Sequence, residues 1–485
     1  MVIHNTLTNR KEDFLPAEPG RVKIYVCGPT TYNFIHLGNA RPLVFFDTVR
    51  RYFLYRGYQV TYVQNFTDID DKIIHKAAEE KTEPLSLAEK YIEEYYKDAG
   101  ALNVQPADYH PRVSQHMDSI VKTIQLLEEK GYAYAVDGDV YFRVRKFPDY
   151  GKLSGRSLEE LLAGARVEID MKKEDPLDFA LWKKAKPGEP AWESPWGKGR
   201  PGWHIECSVM SLEYLGAGFD IHGGGADLIF PHHENEIAQS EAATGSTFAR
   251  YWMHNGFITV NEEKMSKSLG NFFLVREILS KFSPDVVRFF LLSTHYRSPL
   301  DFDDSKLEES RKALERIKNT RQLLTEKIEY LKKAGVRSEE KPEPLFAQKL
   351  DEIRKGFLAA MDDDFNTALA LAKVFDLCRE MNGLANQGRL ADIPGSLQLL
   401  QEGLTLLEEF AGDVLGVLFS VQEEKMGSER ENMVASLVQL LIDIRQEARR
   451  KKDWATADDI RNRMKELGII LEDTPDGVRW KWEGK

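Results

Sequence analysis

Apolar residues recur along this chain with two different periods, and the changes of period mark its elements. Lys23-Ile24-Tyr25-Val26 is a short strand-like run that stops at Cys27-Gly28-Pro29, a turn signal. Beyond it, Leu43, Phe46, Val49 and Phe53 fall on one helical stripe, and Val60-Thr61-Tyr62-Val63 reads as the next strand. Strand, helix and strand in that order predict a βαβ unit and a parallel sheet. Residues 85–96 and 117–127 read as helices. Between about 130 and 200, strand candidates such as Val140-Tyr141-Phe142-Arg143 mix with Gly, Pro and Trp, which suggests an insertion between two halves of a sheet domain. Phe219-Asp220-Ile221-His222 is strand-like again before Gly223-Gly224-Gly225, and a helix is expected after Pro231. From Asp304 onward helices dominate: Leu307, Leu314, Ile317, Leu324, Ile328 and Leu331 recur at spacings of three, four and seven. The polar stretches 337–344 and 422–432 read as linkers.

Composition narrows the class. A chain of 485 residues outgrows a single core, which stops near 250–300 residues, so several domains are expected. Hydrophobic residues at 42% and charged residues at 30% fit a water-soluble protein, and no apolar run is long enough to span a bilayer. The start, MVIHNTLTNRKEDF, lacks the basic-then-apolar layout of a secretory signal, so the cytoplasm is the expected location. A net charge of -12 argues against general nucleic-acid affinity but leaves room for a local basic face. The three cysteines, Cys27, Cys207 and Cys378, are too few for a disulfide framework. Cys378 completes a stripe with Leu371, Val374 and Phe375 and reads as core.

Two separated motifs suit a nucleoside triphosphate. CGPTTYNFIHLGNAR, residues 27–41, joins a strand to a helix start, where backbone N–H groups attract anions. There Gly38 admits a close nucleotide ring, and His36 and Asn39 can donate to phosphate oxygens. NEEKMSKSLGNF, residues 261–272, sets Lys264 and Lys267 three apart among small hydroxyl residues and Gly270, the makings of a triphosphate clamp. Singly, each motif reads equally as a turn or a solvated loop. As a pair in this order they resemble the class I aminoacyl-tRNA synthetases.

A third constellation suits a metal. His232 and Glu236, four apart in FPHHENEIAQS, share a helix face, whereas His233 shares one with Ile237. With Cys27 and Cys207 they would form the mixed S2NO set that zinc accepts. Taken alone, a buried cysteine is more often an apolar filler than a ligand, and HHENE can be a polar helix start.

CGPTTYNFIHLGNAR, GWHIECSVMSLEYLG, FDIHGGGADLIFPHHENEIAQS and KMSKSLGN, in this order, resemble the bacterial cysteinyl-tRNA synthetases over essentially the whole chain. The likeness extends through GKLSGR, DPLDFALWK and SPWGKGRPGWH. The chain departs only in Leu37, where isoleucine is commoner, and Asn39, where other class I branches carry histidine. The resemblance implies an α/β fold: a Rossmann-type parallel-sheet catalytic domain split by an insertion, followed by an α-helical bundle and a small C-terminal domain. The boundaries expected are 1–125 and 201–255 for the two catalytic halves and 126–200 for the insertion. The KMSKS-bearing connecting domain takes 256–305, the bundle on the tRNA stem side 306–425, and the anticodon-recognition domain 426–485. It implies one zinc ion on Cys27, Cys207, His232 and Glu236, and ATP with Mg2+ held by Gly38, Asp227, Lys264 and Lys267. It places Thr67, Trp203 and His222 near the substrate cysteine, and favours a monomer.

Activation of L-cysteine with ATP and transfer to tRNA(Cys), releasing AMP and pyrophosphate, is the activity implied. A thiolate bonded to zinc separates cysteine from serine where a polar pocket discriminates poorly, so no editing domain is expected. His36, Asn39, Lys264 and Lys267 carry the catalysis by positioning and charge stabilisation. MDDDFNTALALAKVF resembles the family's helical bundle, and residues 450–482 its anticodon-reading unit. Arg449 to Lys452 are basic, and Trp454, Trp480 and Trp482 offer faces for unpaired bases, though tryptophans often pack and charged helices are often merely solvated. A ligase passing cysteine to an amino sugar would lack residues 426–485, and a decayed RNA-binding relative would have lost the motif residues.

Overall fold

Four parallel strands carry the core of the catalytic part: β1 (Arg21–Val26), β2 (Gln59–Gln64), β3 (Phe219–Gly225) and β4 (Ala249–Asn255), in the order β2-β1-β3-β4. Helix α1 (Leu37–Tyr55) joins β1 to β2, α2 (Trp203–Leu215) precedes β3, and α3 (Glu234–Thr244) joins β3 to β4. Helices cover the sheet, so β3 and β4 are buried along nearly their whole length. The chain leaves β1 for β2 on one side and later returns to pair β3 on the other. Open α/β sheets bind ligands at the carboxyl ends of strands where such a reversal occurs.

This computed structural model describes residues 1–160, 172–260, 263–264, 272–336, 342–419, 424–474 and 477–482; for 263–264, 424–436, 473–474, 477 and 482 it describes the backbone alone.

Two glycines let the layers close on the reversal. A Cβ on Gly223 would stand 2.2 Å from the Phe46 ring, so α1 packs directly on β3. A Cβ on Gly28 would stand 1.6 Å from the Asn65 carbonyl oxygen, so only glycine fits the turn after β1. Gly223-Gly224-Gly225, which follows the strand-like run in the sequence, continues the strand, because it pairs with Met253-His254-Asn255 of β4.

Residues between the sheet halves form an antiparallel sheet of Ala133–Val136, Asp139–Phe142, Phe179–Lys184 and Gly199–Pro201. Helices Asp304–Lys333, Pro344–Asp362, Thr367–Ala385 and Ser396–Leu407 make a bundle in which Cys378 is buried beside Leu371 and Val374. Burial pushes the Cys378 thiol up to about 11, so it stays a neutral filler. Arg288 ties bundle to sheet: it pairs with Asp47 of α1 at 2.6 Å and donates to the Leu415 carbonyl at 2.8 Å.

The chain divides into two compact units, 1–418 and 419–485. In the second, helices Glu424–Arg450 and Trp454–Glu466 pack with a hairpin of Ile469–Thr474 and Gly477–Trp482 around Val438, Ile442, Met464, Ile469 and Leu471. Helix from Glu424 replaces most of the linker expected over 422–432; EEKMGSEREN lacks proline and is rich in strong helix formers. Trp480 packs against this small core, whereas Trp454 is 57% exposed. Among the described residues no helix is long and apolar enough to cross a membrane.

Candidate active site

A cleft of about 410 Å³ opens at the carboxyl ends of β1 and β3, walled in part by Cys27, His36, Gly38, Asn39, Trp203 and Asp227. Its two ends are built differently.

At one end α1 begins with a reciprocal cap. His36 Nδ1 accepts the Asn39 N–H at 3.3 Å, and Asn39 Oδ1 accepts the His36 N–H at 3.2 Å. In the neutral ring the His36 proton therefore sits on Nε2. The Leu37 N–H donates to the Phe273 carbonyl and the Val275 N–H to that of Ile35, both at 3.0 Å. The chain after the KMSKS stretch is thus stitched to the chain before α1. The chain before it forms Ile258–Val260, which pairs with Leu300–Asp301 and sets Thr259 opposite Lys264. Ile258 and Phe272 both wall the cleft, so the lysine-bearing segment leaves and rejoins at its rim. The Lys264 side chain and all of Lys267 lie outside the described residues.

At the other end Cys27 leaves β1 and meets Cys207 of α2, their Sγ atoms 3.7 Å apart and both thiols free. Before α3, the chain kinks at Phe230; the helix expected after Pro231 follows, as a π-helical turn that carries His232 and His233 and runs into α3 at Glu234. His232 Nε2 lies 3.0 Å from Glu236 Oε1 and His233 Nε2 3.9 Å from it. Cys27 Sγ lies 3.4 Å from Glu236 Oε1 and 3.4 Å from His233 Nε2. Two overlapping quartets gather their donor atoms within 4.8 Å of one another: Cys27, Cys207, His232 and Glu236, and Cys27, His222, His233 and Glu236.

The local charges favour a cation. Its hydrogen bond with Cys27 lowers the Cys207 thiol to about 6 against the pull of burial, and His232 helps. Burial, and then Cys207, push the Cys27 thiol well above its ordinary value. Burial works against the Glu236 carboxylate, yet His222 and His232 hold it down at about 2. Burial likewise opposes charge on His232, but Glu236 and Cys207 outweigh it and raise it to about 10.

The remaining expected residues divide. Trp203 stands at the cleft, 38% exposed, its ring stacked on His232 at 4.2 Å. His222 is fully buried and its Nε2 meets Glu236 Oε2 at 2.8 Å. Thr67 is buried behind the wall, its hydroxyl donating to Glu206 Oε2 at 3.2 Å. Asn65 and His204 were not visible as site residues. The Asn65 amide accepts the Gly28 N–H at 2.9 Å and faces Cys207 Sγ at 3.6 Å. His204 Nδ1 meets His232 Nδ1 at 2.9 Å. His204 had a signal, three residues before Cys207 on one helix face; Asn65 had none.

The family model described as "tRNA synthetases class I (C) catalytic domain" matches residues 13–312. A DALR domain matches 356–420, and a "Cysteinyl-tRNA ligase anticodon binding domain" matches 436–480. A cysteine–tRNA ligase of Pelotomaculum thermopropionicum is 63% identical over 491 residues, covering 100% of both chains. This chain belongs to the cysteine–tRNA ligases. Further members from Desulforamulus reducens and Moorella thermoacetica are 62% and 60% identical, over 100% and 99% of this chain and 100% of each relative. As a member of the family it is a class I aminoacyl-tRNA synthetase that charges tRNA(Cys) with cysteine at the expense of ATP. The fold alone is shared more widely. A Mycobacterium tuberculosis methionyl-tRNA synthetase in complex with methionyl-adenylate superposes with a TM-score of 0.63 at 16% identity, over 81% of this chain and 91% of that one. A leucyl enzyme of Agrobacterium radiobacter superposes at 0.57 and 14%, over 83% and 85%.

Proposed function

We propose that Cys27, Cys207, His232 and Glu236 hold one zinc ion at the floor of the cleft and that the thiol of substrate cysteine joins them there. The observation that carries this reading is the quartet itself: two free thiols, an imidazole and a carboxylate, donor atoms within 4.8 Å of one another and almost wholly inside the protein. Two sulfurs, one nitrogen and one oxygen suit zinc and not a hard oxygen-seeking ion. His232 is the better nitrogen ligand: its Nε2 lies 3.0 Å from Glu236 Oε1 against 3.9 Å for His233, it belongs to the quartet that holds both thiols, and its other ring nitrogen meets His204 at 2.9 Å, the second partner a metal-bound histidine keeps. His222 has no such partner on its buried Nδ1, so it serves as the donor that orients Glu236. Bound zinc supplies a soft Lewis acid that favours a thiolate over an alcohol, which distinguishes cysteine from serine without an editing step.

The chain's own groups do the rest by position. Trp203, over His232, closes the side of the amino-acid end; Thr67 and His222 bear on it from behind the wall. Asp227, at the cleft wall, accepts from the ribose. His36, Asn39, Lys264 and Lys267 hold the phosphates of ATP, with Mg2+ on the triphosphate, so the cysteine carboxylate meets the α-phosphate in line. Gly38 leaves room for the nucleotide at the start of α1. The cysteinyl group then passes from its adenylate to the terminal ribose of tRNA(Cys), and AMP leaves.

The division proposed for the chain is 1–125 and 201–255 catalytic, 126–200 inserted, 256–305 connecting, 306–425 bundle and 426–485 anticodon-reading. A cytoplasmic monomer is the state proposed. Metal analysis of the purified chain alongside cysteine- and serine-dependent ATP–pyrophosphate exchange tests the central reading. One zinc per chain and exchange with cysteine only are expected. A zinc-free chain that still rejects serine would overturn it.

A further inference from the structure

Among the described residues three arginines of the first unit are buried: Arg41, Arg200, which pairs with Asp71, and Arg288. Arg288 has the carboxylate of Asp47 at 2.6 Å. Arg41 has none within ion-pair distance among the described residues, and only burial acts on it, lowering its pKa to about 10. It therefore keeps its charge at neutral pH inside the protein without a counter-ion. A buried unpaired charge is costly, and an apolar residue of similar size is often the more stable choice, so stability alone does not explain it.

What Arg41 does have is carbonyls. Nη1 donates to Gly256 at 2.8 Å and Phe257 at 3.1 Å, and Nη2 donates to His295 at 3.2 Å and Ser298 at 2.6 Å. The first pair lies where β4 leads into Ile258–Val260, and the second where the chain returns to Leu300–Asp301. Gly256 and Phe257 wall the cleft together with His36, Gly38 and Asn39 of the α1 start, the same helix that carries Arg41. One planar fork thus fixes the wall formed by residues 256–257 at a set distance from the α1 start, a geometry that an ammonium point charge cannot reproduce. The packing leaves no slack: a Cβ on Gly256 would stand 2.6 Å from the carbonyl oxygens of Arg297 and Ser298.

We propose that Arg41 is a positioning residue for ATP: its fork sets the spacing of the nucleotide cleft, and its unneutralised charge favours the polyanion there. The inference rests on reading this end of the cleft as the ATP site. The arrangement of Arg41 concerns one substrate only, because the Cys27–Cys207 end receives none of its hydrogen bonds.

The test is ATP–pyrophosphate exchange by the full-length chain and its Arg41→Lys and Arg41→Met variants, with KM taken separately for ATP and for cysteine. The expected result is a rise in KM for ATP of about 10-fold for Lys and about 100-fold for Met, the charge-keeping variant rescuing part of the loss, with KM for cysteine within about twofold of wild type. An unchanged KM for ATP in both variants, or parallel rises for both substrates, would overturn the proposal. Should neither variant fold, Arg41→Gln, which keeps a planar donor without the charge, must show the same ATP-selective rise; a normal KM for ATP in it overturns the proposal. Calorimetric titration with a non-hydrolysable ATP analogue separates this from failure of the wider reading. Loss of analogue binding in the variants supports the role of Arg41 even if cysteine exchange fails, whereas wild-type exchange with unaltered analogue binding in the variants sinks it.

Discussion

The two ends of the cleft solve different problems with different architecture. At the sulfur end every donor is buried or nearly so, each comes from a different element, and a second layer of Asn65, His204 and His222 holds the first. Telling sulfur from oxygen depends on placing soft ligands accurately, and packed elements do that best. At the end proposed for the phosphates His36 and Asn39 bond each other across a helix start, and the described chain on either side of the lysine-bearing stretch is fixed at the cleft. A triphosphate carries so much charge that several cations and N–H groups grip it without fine placement. On the proposed reading, selection is built into the folded core, while the residues assigned to ATP come from a helix start and from the segment between residues 260 and 272.

That contrast breaks most sharply at the sulfur end. Cys207→Ser replaces a soft ligand by a hydroxyl inside an otherwise intact shell. It is expected to release most of the zinc and cut cysteine activation by about 1,000-fold or more, read by metal analysis and exchange kinetics on one preparation. Full zinc retention would refute the ligand set. Lys267→Ala comes next: exchange should slow by about 100-fold while cysteine binding barely moves, because one cation leaves the developing charge on pyrophosphate. Equal losses for both substrates would erase the distinction between the ends. Asn39→Asp is subtler. Its carboxylate can still accept the His36 N–H and suits a helix N-terminus, so α1 keeps its stability. The Nδ2 donor, however, becomes an anion beside the phosphates, and KM for ATP should rise by about 10- to 100-fold. An unaltered KM would place the triphosphate elsewhere.

The same contrast explains what could be read in the sequence. The βαβ start, the split sheet and the helical bundle were legible because strand and helix periods are local properties of the chain. Spacing joined only His232 to Glu236; that Cys27 and Cys207 belong with them is what the family resemblance implied, and the structure gathers the four donor atoms. Helix spacing chose His232 over His233 for a reason only partly realised, because a wider π-helical turn, and not regular α-helix, presents both rings. The strand character of Gly223-Gly224-Gly225 was hidden: glycine commonly marks turns, and what crowds out a side chain lies elsewhere in the fold, the Phe46 ring at Gly223 and Leu228 and His233 at Gly224. Helix from Glu424 was hidden by its polarity, which reads as a linker unless propensity is summed over the run. Asn65 and Arg41 bond backbone atoms from distant segments, and no pattern along the chain records such contacts.

The smallest expected effect lies outside the cleft and tests whether histidine chemistry is special to the sulfur end. His110 stacks on Phe66 at 4.9 Å, and both ring nitrogens are engaged: Nδ1 donates to the Gln64 carbonyl at 2.9 Å, and Nε2 accepts the Ala107 N–H at 3.1 Å. Burial lowers its pKa to about 4, the Gln64 bond resisting only in part. Protonation would turn Nε2 from acceptor into donor and set it against the Ala107 N–H. The folded state therefore holds fewer protons than the unfolded one between about pH 4 and the ordinary histidine value near 6.5, and stability falls as pH drops through that window. Between pH 7 and pH 5 this amounts to about 2 kcal/mol, or roughly 2 °C in Tm for a unit of this size. In His110→Asn the drop in Tm from pH 7 to pH 5 should be smaller than in wild type by that amount, whatever the variant's stability at pH 7. An identical drop in both proteins would remove His110 as a source of the acid sensitivity.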